Sequence, residues 1–293
     1  MEKFAPLNLA PAELVDYTRS WTGERSPDGR PRVPDRIIER MRNVTVTQAW
    51  GVLRNHGYNW QYEGNWKCTH PDGVLCGRAL TAIYMPRRPQ IRTIMEEKGA
   101  RCGCVGDQIS WPIDMLVTGD VYVADVFGKI DQGPIIGDNL STSIYAKSGN
   151  GVVHDAAVRD LDGIKAIDDF VCFVRDWSPT YASPTIMLMG VNTPIRIGQA
   201  TVMPGDVVLG REDGVVFIPP HLAETVVKTS EVVQLRDEFG KTRLAEGKYT
   251  PGQIDTRWTD EIEKDFSEWL EQNISELPVP REAIEELLKE RTW

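Results

Sequence analysis

The sequence has no apolar run approaching the roughly 20 residues needed to cross a bilayer, so no membrane span is expected. Basic charge is short as well: 33 Lys and Arg stand against 43 Asp and Glu, a formal net charge of −10. Proteins that hold nucleic acid need a basic surface to displace counterions from phosphates, so this balance argues against nucleic acid as the main partner. Cysteines number five, an odd count in a chain too large to need disulfide staples, which suits free thiols and a reduced compartment. The first residues, Met1-Glu2-Lys3-Phe4-Ala5-Pro6, lack the apolar stretch of a secretory leader, and the expected location is cytoplasmic. HExxH, G-x-S-x-G, Walker and GxGxxG patterns are all missing, which removes local support for hydrolase, nucleotide and dinucleotide chemistry.

What is there is a 293-residue chain, 41% hydrophobic and 26% charged, with the balance of a globular protein that can bury a core. Residues 1–44 read as an arm. Pro11 opens a short helix through Leu14 and Val15, Pro34 opens another through Ile37, Ile38 and Met41, and the loop Thr22–Gly29 lies between them. Thr47–Asn55 reads as a capped helix that starts the main domain, which is expected to span residues 45–247. Strands are expected at Leu75–Ile83, Asp120–Asp125, Gly151–Asp155 and Val171–Val174, with helices at 139–148 and 161–168. A hairpin turns at Arg211-Glu212-Asp213-Gly214 between Asp206–Leu209 and Val215–Ile218. Strands alternating with helices, then a β-rich end, predict a mixed α/β domain. Beyond Pro219-Pro220 the pattern is helical: Val226 to Leu235, then Ile262, Phe266, Trp269, Leu270 and Ile274 at helical spacing. After Pro278 and Pro280, a last short helix carries Ile284, Leu287 and Leu288. Residues 248–293 are expected to form a helical C-terminal extension.

A metal site of soft ligands is a weak reading. Cys68-Thr69-His70, Cys76 and Cys102-Gly103-Cys104 have C-x-H and C-x-C spacing, whereas a zinc knuckle wants two to four intervening residues; buried or semi-exposed thiols are the better account of them. The informative stretch is Gly137-Asp138-Asn139-Leu140, followed by Gly151–Asp155 running into Arg159-Asp160. A glycine-led loop at a helix start exposes backbone N–H groups of Asn139 and Leu140, where the helix dipole favours a small anion such as a carboxylate. Arg159 and Asp160 set a cation beside a hard-metal ligand at a strand exit. A plain N-cap at Asp138 and a surface ion pair at Arg159-Asp160 explain the same residues without chemistry.

The spacing of Asp138, twenty intervening residues, then Arg159-Asp160 resembles the signature of the RraA-like family, which includes class II 4-hydroxy-4-methyl-2-oxoglutarate/4-carboxy-4-hydroxy-2-oxoadipate aldolases and regulators of ribonuclease E. Gly77-Arg78-Ala79-Leu80-Thr81, Gly119-Asp120-Val121, Pro204–Val208 and Asp213–Pro219 resemble further landmarks of that family, in the same order. The resemblance implies a swivelling β/β/α sandwich assembled as a homotrimer or homohexamer, with active sites between subunits. It implies a lyase that cleaves a 4-hydroxy-2-oxo acid to pyruvate by retro-aldol chemistry through a metal-bound enolate, and that also decarboxylates oxaloacetate. Asp160 would ligate Mg2+ or Mn2+, and Arg159 would hydrogen-bond the C2 oxygen. Gly137, Asn139 and Leu140 would hold the pyruvoyl carboxylate, and Asp138 would orient a water that shuttles a proton. A glutamate from the adjacent subunit would match Glu238, with Glu231 as its rival.

The chain departs from the family pattern at Ala156, where glycine is usual, and at Arg211, where aspartate is frequent. The segments Trp177–Pro184 and Tyr58–Tyr62 match no family landmark, and nine tryptophans either pack the core or line a larger, less polar pocket. Two further functional readings stay open: a non-catalytic, protein-binding regulator resembling the ribonuclease E inhibitors, and a divergent enzyme on the same scaffold.

Overall fold

The computed structural model describes residues 4–274 together with Leu277, Val279, Arg281, Ile284 and Glu285. The expected positions Pro278, Pro280, Leu287 and Leu288 lie outside the described residues. The chain divides into two compact units, residues 1–224 and residues 225–293.

The first unit opens with α1 (Pro11–Tyr17), α2 (Asp35–Met41) and α3 (Val46–Asn55). The third helix starts at Val46, one residue before the expected Thr47, because Thr45 caps it: Gln48 N–H donates to Thr45 Oγ1 while Thr45 N–H donates to Gln48 Oε1. There follow β1 (Tyr62–Glu63), β2 (Lys67–Cys68), β3 (Leu75–Pro86), α4 (Pro89–Arg101), β4 (Asp120–Lys129), α5 (Asp138–Ser148), β5 (Val152–Val158), α6 (Leu161–Lys165) and β6 (Cys172–Trp177). The unit closes with β7 (Ile186–Val191), β8 (Ile195–Ile197), β9 (Ala200–Val202), β10 (Val207–Arg211) and β11 (Gly214–Ile218).

One mixed sheet runs in the order β1-β11-β10-β3-β4-β5-β6-β2, with β7 paired to β3 as well. Strands β3, β4, β5 and β6 are mutually parallel neighbours. The long β3 changes partner along its length. Its first half takes β10 (Arg78 opposite Val207) and its second half takes β7 (Ala82 opposite Val191), both antiparallel.

Both faces of this sheet are covered, so its strands alternate between two apolar cores rather than between core and water. Leu80, Tyr122, Ala124, Val152 and Ala156 point to one face, with Met95 of α4, Ile144 of α5 and Ile164 of α6. Ala79, Val121, Val123 and Val153 point to the other, with Ile195, Ile197 and Val202 of the β8–β9 hairpin and Phe217 of β11. Helices on one side and β structure on the other make the β/β/α arrangement expected from the sequence.

The second unit holds α7 from residue 225 onward (Ala223–Ala245), α8 (Pro251–Ile254) and α9 (Asp260–Asn273), a helical C-terminal extension. Its own core gathers Leu235, Phe239, Trp258, Ile262, Phe266, Trp269 and Leu270, and Arg236 lies 3.7 Å over the Trp258 ring.

Candidate active site

Two loops leave the sheet at the C-terminal ends of neighbouring parallel strands, the edge at which open α/β sheets bind ligands. The loop after β4 leads through Pro134–Gly137 into α5, and the loop after β5 is the pair Arg159-Asp160, which leads into α6. The backbone joins them, since Arg159 N–H donates to Ile136 O at 3.3 Å. Residues twenty-odd positions apart in sequence thereby become neighbours.

Asp160 has φ 56° and ψ 46°, a left-handed conformation at the residue before α6. An aspartate held there is uncommon, and it turns the chain so that its carboxylate reaches back over Gly137. A Cβ at Gly137 would overlap Asp160 Oδ2 and would lie 3.2 Å from Arg159 Cγ and Nε. In reverse, a Cβ at Gly163 of α6 would lie 2.6 Å from Asp138 Cβ and 2.7 Å from its Oδ2. Each aspartate is thus seated on a glycine of the other segment. Arg159 Nε stands 3.5 Å from Asp160 Oδ2, and both side chains keep about two-fifths of their surface exposed (45% and 41%), so they remain open to a ligand.

At the start of α5, Gly137 is the residue before the first turn and Asp138 is the first helical residue. Asp138 does not cap the helix in the usual manner; its Oδ1 accepts the N–H of Asn139 at 2.7 Å. That differs from the expectation that the Asn139 amide stands free. No hydrogen-bond partner of the Leu140 N–H is found among the described residues, and it stays available at the positive end of an 11-residue helix.

The cleft in front of these groups has a volume of about 310 Å³. Besides Gly137, Asp138, Asn139, Leu140 and Arg159, it is lined by Ile109, Pro134, Ile135, Ile136 and Tyr181. Hydrogen bonds stitch its outer walls together. Ala182 N–H donates to Pro134 O at 3.0 Å and Gln132 N–H to Thr180 Oγ1 at 2.8 Å. Asp107 accepts from Ile109 N–H (3.2 Å), from Arg92 Nη2 (2.7 Å) and from Ser183 Oγ (2.6 Å). Sequence reasoning missed Gly163, Ile109 and Tyr181. The only available signal was that Trp177–Pro184 matches no landmark.

As a metal site, Asp160 with Asp138 nearby offers oxygen donors only, partly exposed. No group of three His, Cys, Asp or Glu is placed to hold a metal ion among the described residues. One or two carboxylates with water in the remaining positions is what Mg2+ or Mn2+ tolerates, so the donor set fits a largely hydrated hard cation and does not fit a zinc cage. The cysteines lie elsewhere as free thiols, and burial pushes Cys76 up to about 12. Glu238 and Glu231 both stand on α7 in the second unit. Arg211, at the position where the family often has aspartate, donates from Nε to Val44 O at 2.9 Å and from Nη2 to Arg42 O, holding the chain that enters α3.

The fold and cleft together define a β/β/α protein with an arginine–carboxylate site at the parallel-strand edge of its sheet. The family model described as RraA-like, Aldolase/RraA, matches residues 44–217, and the chain belongs to that family. Protein DlpA of Legionella pneumophila is 27% identical over 181 residues, 59% of this chain and 26% of that protein. A protein of Halalkalibacterium halodurans named "Putative 4-hydroxy-4-methyl-2-oxoglutarate aldolase" is 33% identical over 128 residues, 44% of this chain and 60% of that one. The chain therefore spans about a quarter of the first relative and three-fifths of the second. Among solved structures, Streptomyces coelicolor RraAS2, titled an unusual member of the RNase ES inhibitor RraA family, superposes with a TM-score of 0.62 at 22% identity, covering 72% of this chain and all of that one. An uncharacterized protein from Pseudomonas syringae gives the same score at 21% identity, covering 76% and 98%. These likenesses establish the fold.

Proposed function

We propose that this chain is a divalent-metal-dependent carbon–carbon lyase that cleaves a 4-hydroxy-2-oxo acid to pyruvate by retro-aldol chemistry and also decarboxylates oxaloacetate. The observation that carries the reading is the reciprocal seating of Asp160 on Gly137 and of Asp138 on Gly163, which sets the Asp160 carboxylate against Gly137 in the wall of the cleft that Asp138 and Arg159 line. A surface ion pair and a plain helix cap have no need of that packing. The family's named aldolase relative supports it.

A Mg2+ or Mn2+ ion held by Asp160 would supply positive charge that polarises the 2-oxo group and offsets the charge developing as the C3–C4 bond breaks. Arg159 binds the C2 oxygen and stabilises its growing negative charge; donors of this kind are worth about 10²–10³ in kcat. The free N–H of Leu140, at the α5 N-terminus beside Gly137, receives the substrate carboxylate. Asn139 contributes through its link to Asp138, whose Oδ1 it orients. Asp138 moves the proton that ends on the pyruvate methyl. Residues 45–247 form the catalytic domain, and Glu238, or Glu231 in its place, enters a neighbouring subunit's site in a trimer or hexamer.

Pyruvate release coupled to lactate dehydrogenase tests this reading, with oxaloacetate and 4-hydroxy-4-methyl-2-oxoglutarate as substrates. Activity should require Mg2+ or Mn2+ and be lost with EDTA, and Arg159→Ala and Asp160→Ala should each lose at least about 10²-fold while the oligomer stays intact. Full activity in both variants would remove the site assignment. No pyruvate from any substrate would leave the protein-binding regulator or a divergent enzyme.

A further inference from the structure

Within one protomer the cleft presents a single cation. Arg159 is the single Lys or Arg among the described residues that line it, and the α5 N-terminus is the single helix start that opens into it. Both are already engaged by the 2-oxo acid head in the proposed reaction. Apart from the polar Asp138 and Asn139, the rest of the wall is apolar or aromatic, with Ile109, Pro134, Ile136, Leu140 and Tyr181. Leu140 and Ile109 also pack against the helix-side core, and the hydrogen bonds that Asp107 accepts and that Ala182 N–H donates fix the outer wall in place.

A second carboxylate placed against this wall would find no second cation, only the neutral Asn139 amide and Tyr181 hydroxyl in exchange for its lost hydration, which disfavours it. An apolar or aromatic substituent would instead replace water at the isoleucine, proline and tyrosine surfaces. We infer that the substrate carries an apolar, preferably aromatic, group at C4 rather than a second carboxylate: a 4-aryl- or 4-alkyl-4-hydroxy-2-oxo acid. This rests on the lyase reading of the site.

The reaction balances without any further reactant. The C4 hydroxyl gives up its proton as its oxygen becomes the carbonyl of the departing aldehyde. The C3–C4 bonding pair moves onto the pyruvate fragment as its enolate, and one proton returns to C3, leaving pyruvate and an aryl or alkyl aldehyde.

The test compares kcat/KM on the metal-loaded full chain for 4-hydroxy-2-oxo-4-phenylbutanoate and 4-hydroxy-4-methyl-2-oxoglutarate, with oxaloacetate as a probe of the chemistry alone. The phenyl substrate should lead the dicarboxylate by at least about tenfold, a difference of about 1.4 kcal/mol in transition-state binding. Tyr181 is exposed, so Tyr181→Arg should keep the fold by circular dichroism, and the added cation should reduce that ratio several-fold. If oxaloacetate yields pyruvate but the wild-type ratio is below tenfold, or Tyr181→Arg leaves it unchanged, the substrate inference is overturned and the lyase reading survives. If none of the three substrates yields pyruvate, the lyase reading fails and takes this inference with it.

Discussion

The carboxylate of Asp160 lies directly over the Cα of Gly137, close enough that a methyl group would not fit between the two. Gly137 has φ −129°, a value open to any residue, so the close approach and not the backbone demands glycine there. Gly137→Ala should push Asp160 and Arg159 out of position. Because a displacement near 1 Å costs about 10²-fold in rate, pyruvate release should fall by that order while the melting temperature changes little. Equal loss of rate and of folded protein would count against a positional role.

The arm is fastened to the sheet by a buried ion pair. Arg30 Nη1 and Nη2 reach Asp120 Oδ1 and Oδ2 at 3.0 and 3.2 Å, and its Nε reaches Asp28 at 2.8 Å. Arg30 and Asp120 are each about 3% exposed. Arg30→Ala strands a buried carboxylate and should cost about 3–5 kcal/mol in urea unfolding. Arg30→Met combined with Asp120→Leu should recover part of that loss, because the fully buried Asp120 carboxylate is then gone and only the less buried Asp28 is left without its cation.

His154 on β5 is fully buried, with neither ring nitrogen hydrogen-bonded and its ring edge-on to Tyr122 at 4.8 Å. Desolvation lowers its pKa to about 3. The unfolded chain takes up this proton below about pH 6.5 and the folded chain does not until about pH 3, so stability falls as pH drops through that window. At about 1.4 kcal/mol per pH unit, wild type should lose about 2 kcal/mol more than His154→Leu between pH 7.5 and pH 5. Parallel pH profiles of the two proteins in urea titrations would contradict it.

Asp206 has the opposite sign. Burial raises its carboxyl to about 8, against the pull of the Met203 N–H that donates to Oδ2 at 2.8 Å. The unfolded aspartate ionises near pH 4 and the folded one holds its proton to about pH 8, so its contribution decays as pH rises between those values. Asp206→Asn keeps an acceptor for Met203 and removes the titration. Its stability relative to wild type should grow by up to about 1.4 kcal/mol per pH unit from pH 4 to 8, read from thermal melts across that range.

Much of the scaffold was legible because it is written in local spacing. The strands β3, β4, β5 and β6, helices α5 and α9 and the turn between β10 and β11 fall where apolar alternation, helical spacing and glycine turns place them. Helix α4 escaped because it buries only Met95 and Gly99 and carries no apolar stripe. Strand β7, Ile186-Met187-Leu188-Met189-Gly190-Val191, escaped because a strand covered on both faces reads as an unbroken apolar run. Helix α6 stops at Lys165 rather than at 168, a short turn whose end no capping residue announces.

What the sequence determined by itself is the order of elements and the residue types of the candidate site: Gly137, Asp138, Arg159 and Asp160 at their fixed spacing, in a chain whose family match covers residues 44–217. Only the tertiary structure decided that Asp160 sits in a left-handed conformation over Gly137, that Asp138 rests on Gly163, and that the Asn139 amide is already taken. It alone brought Ile109 and Tyr181 from separate loops to one apolar wall beside Arg159. The division has a physical cause. Periodicity and turn chemistry act between residues a few positions apart, whereas a cleft is closed by contacts among segments far apart in the chain, whose meeting depends on how the whole sheet twists and packs.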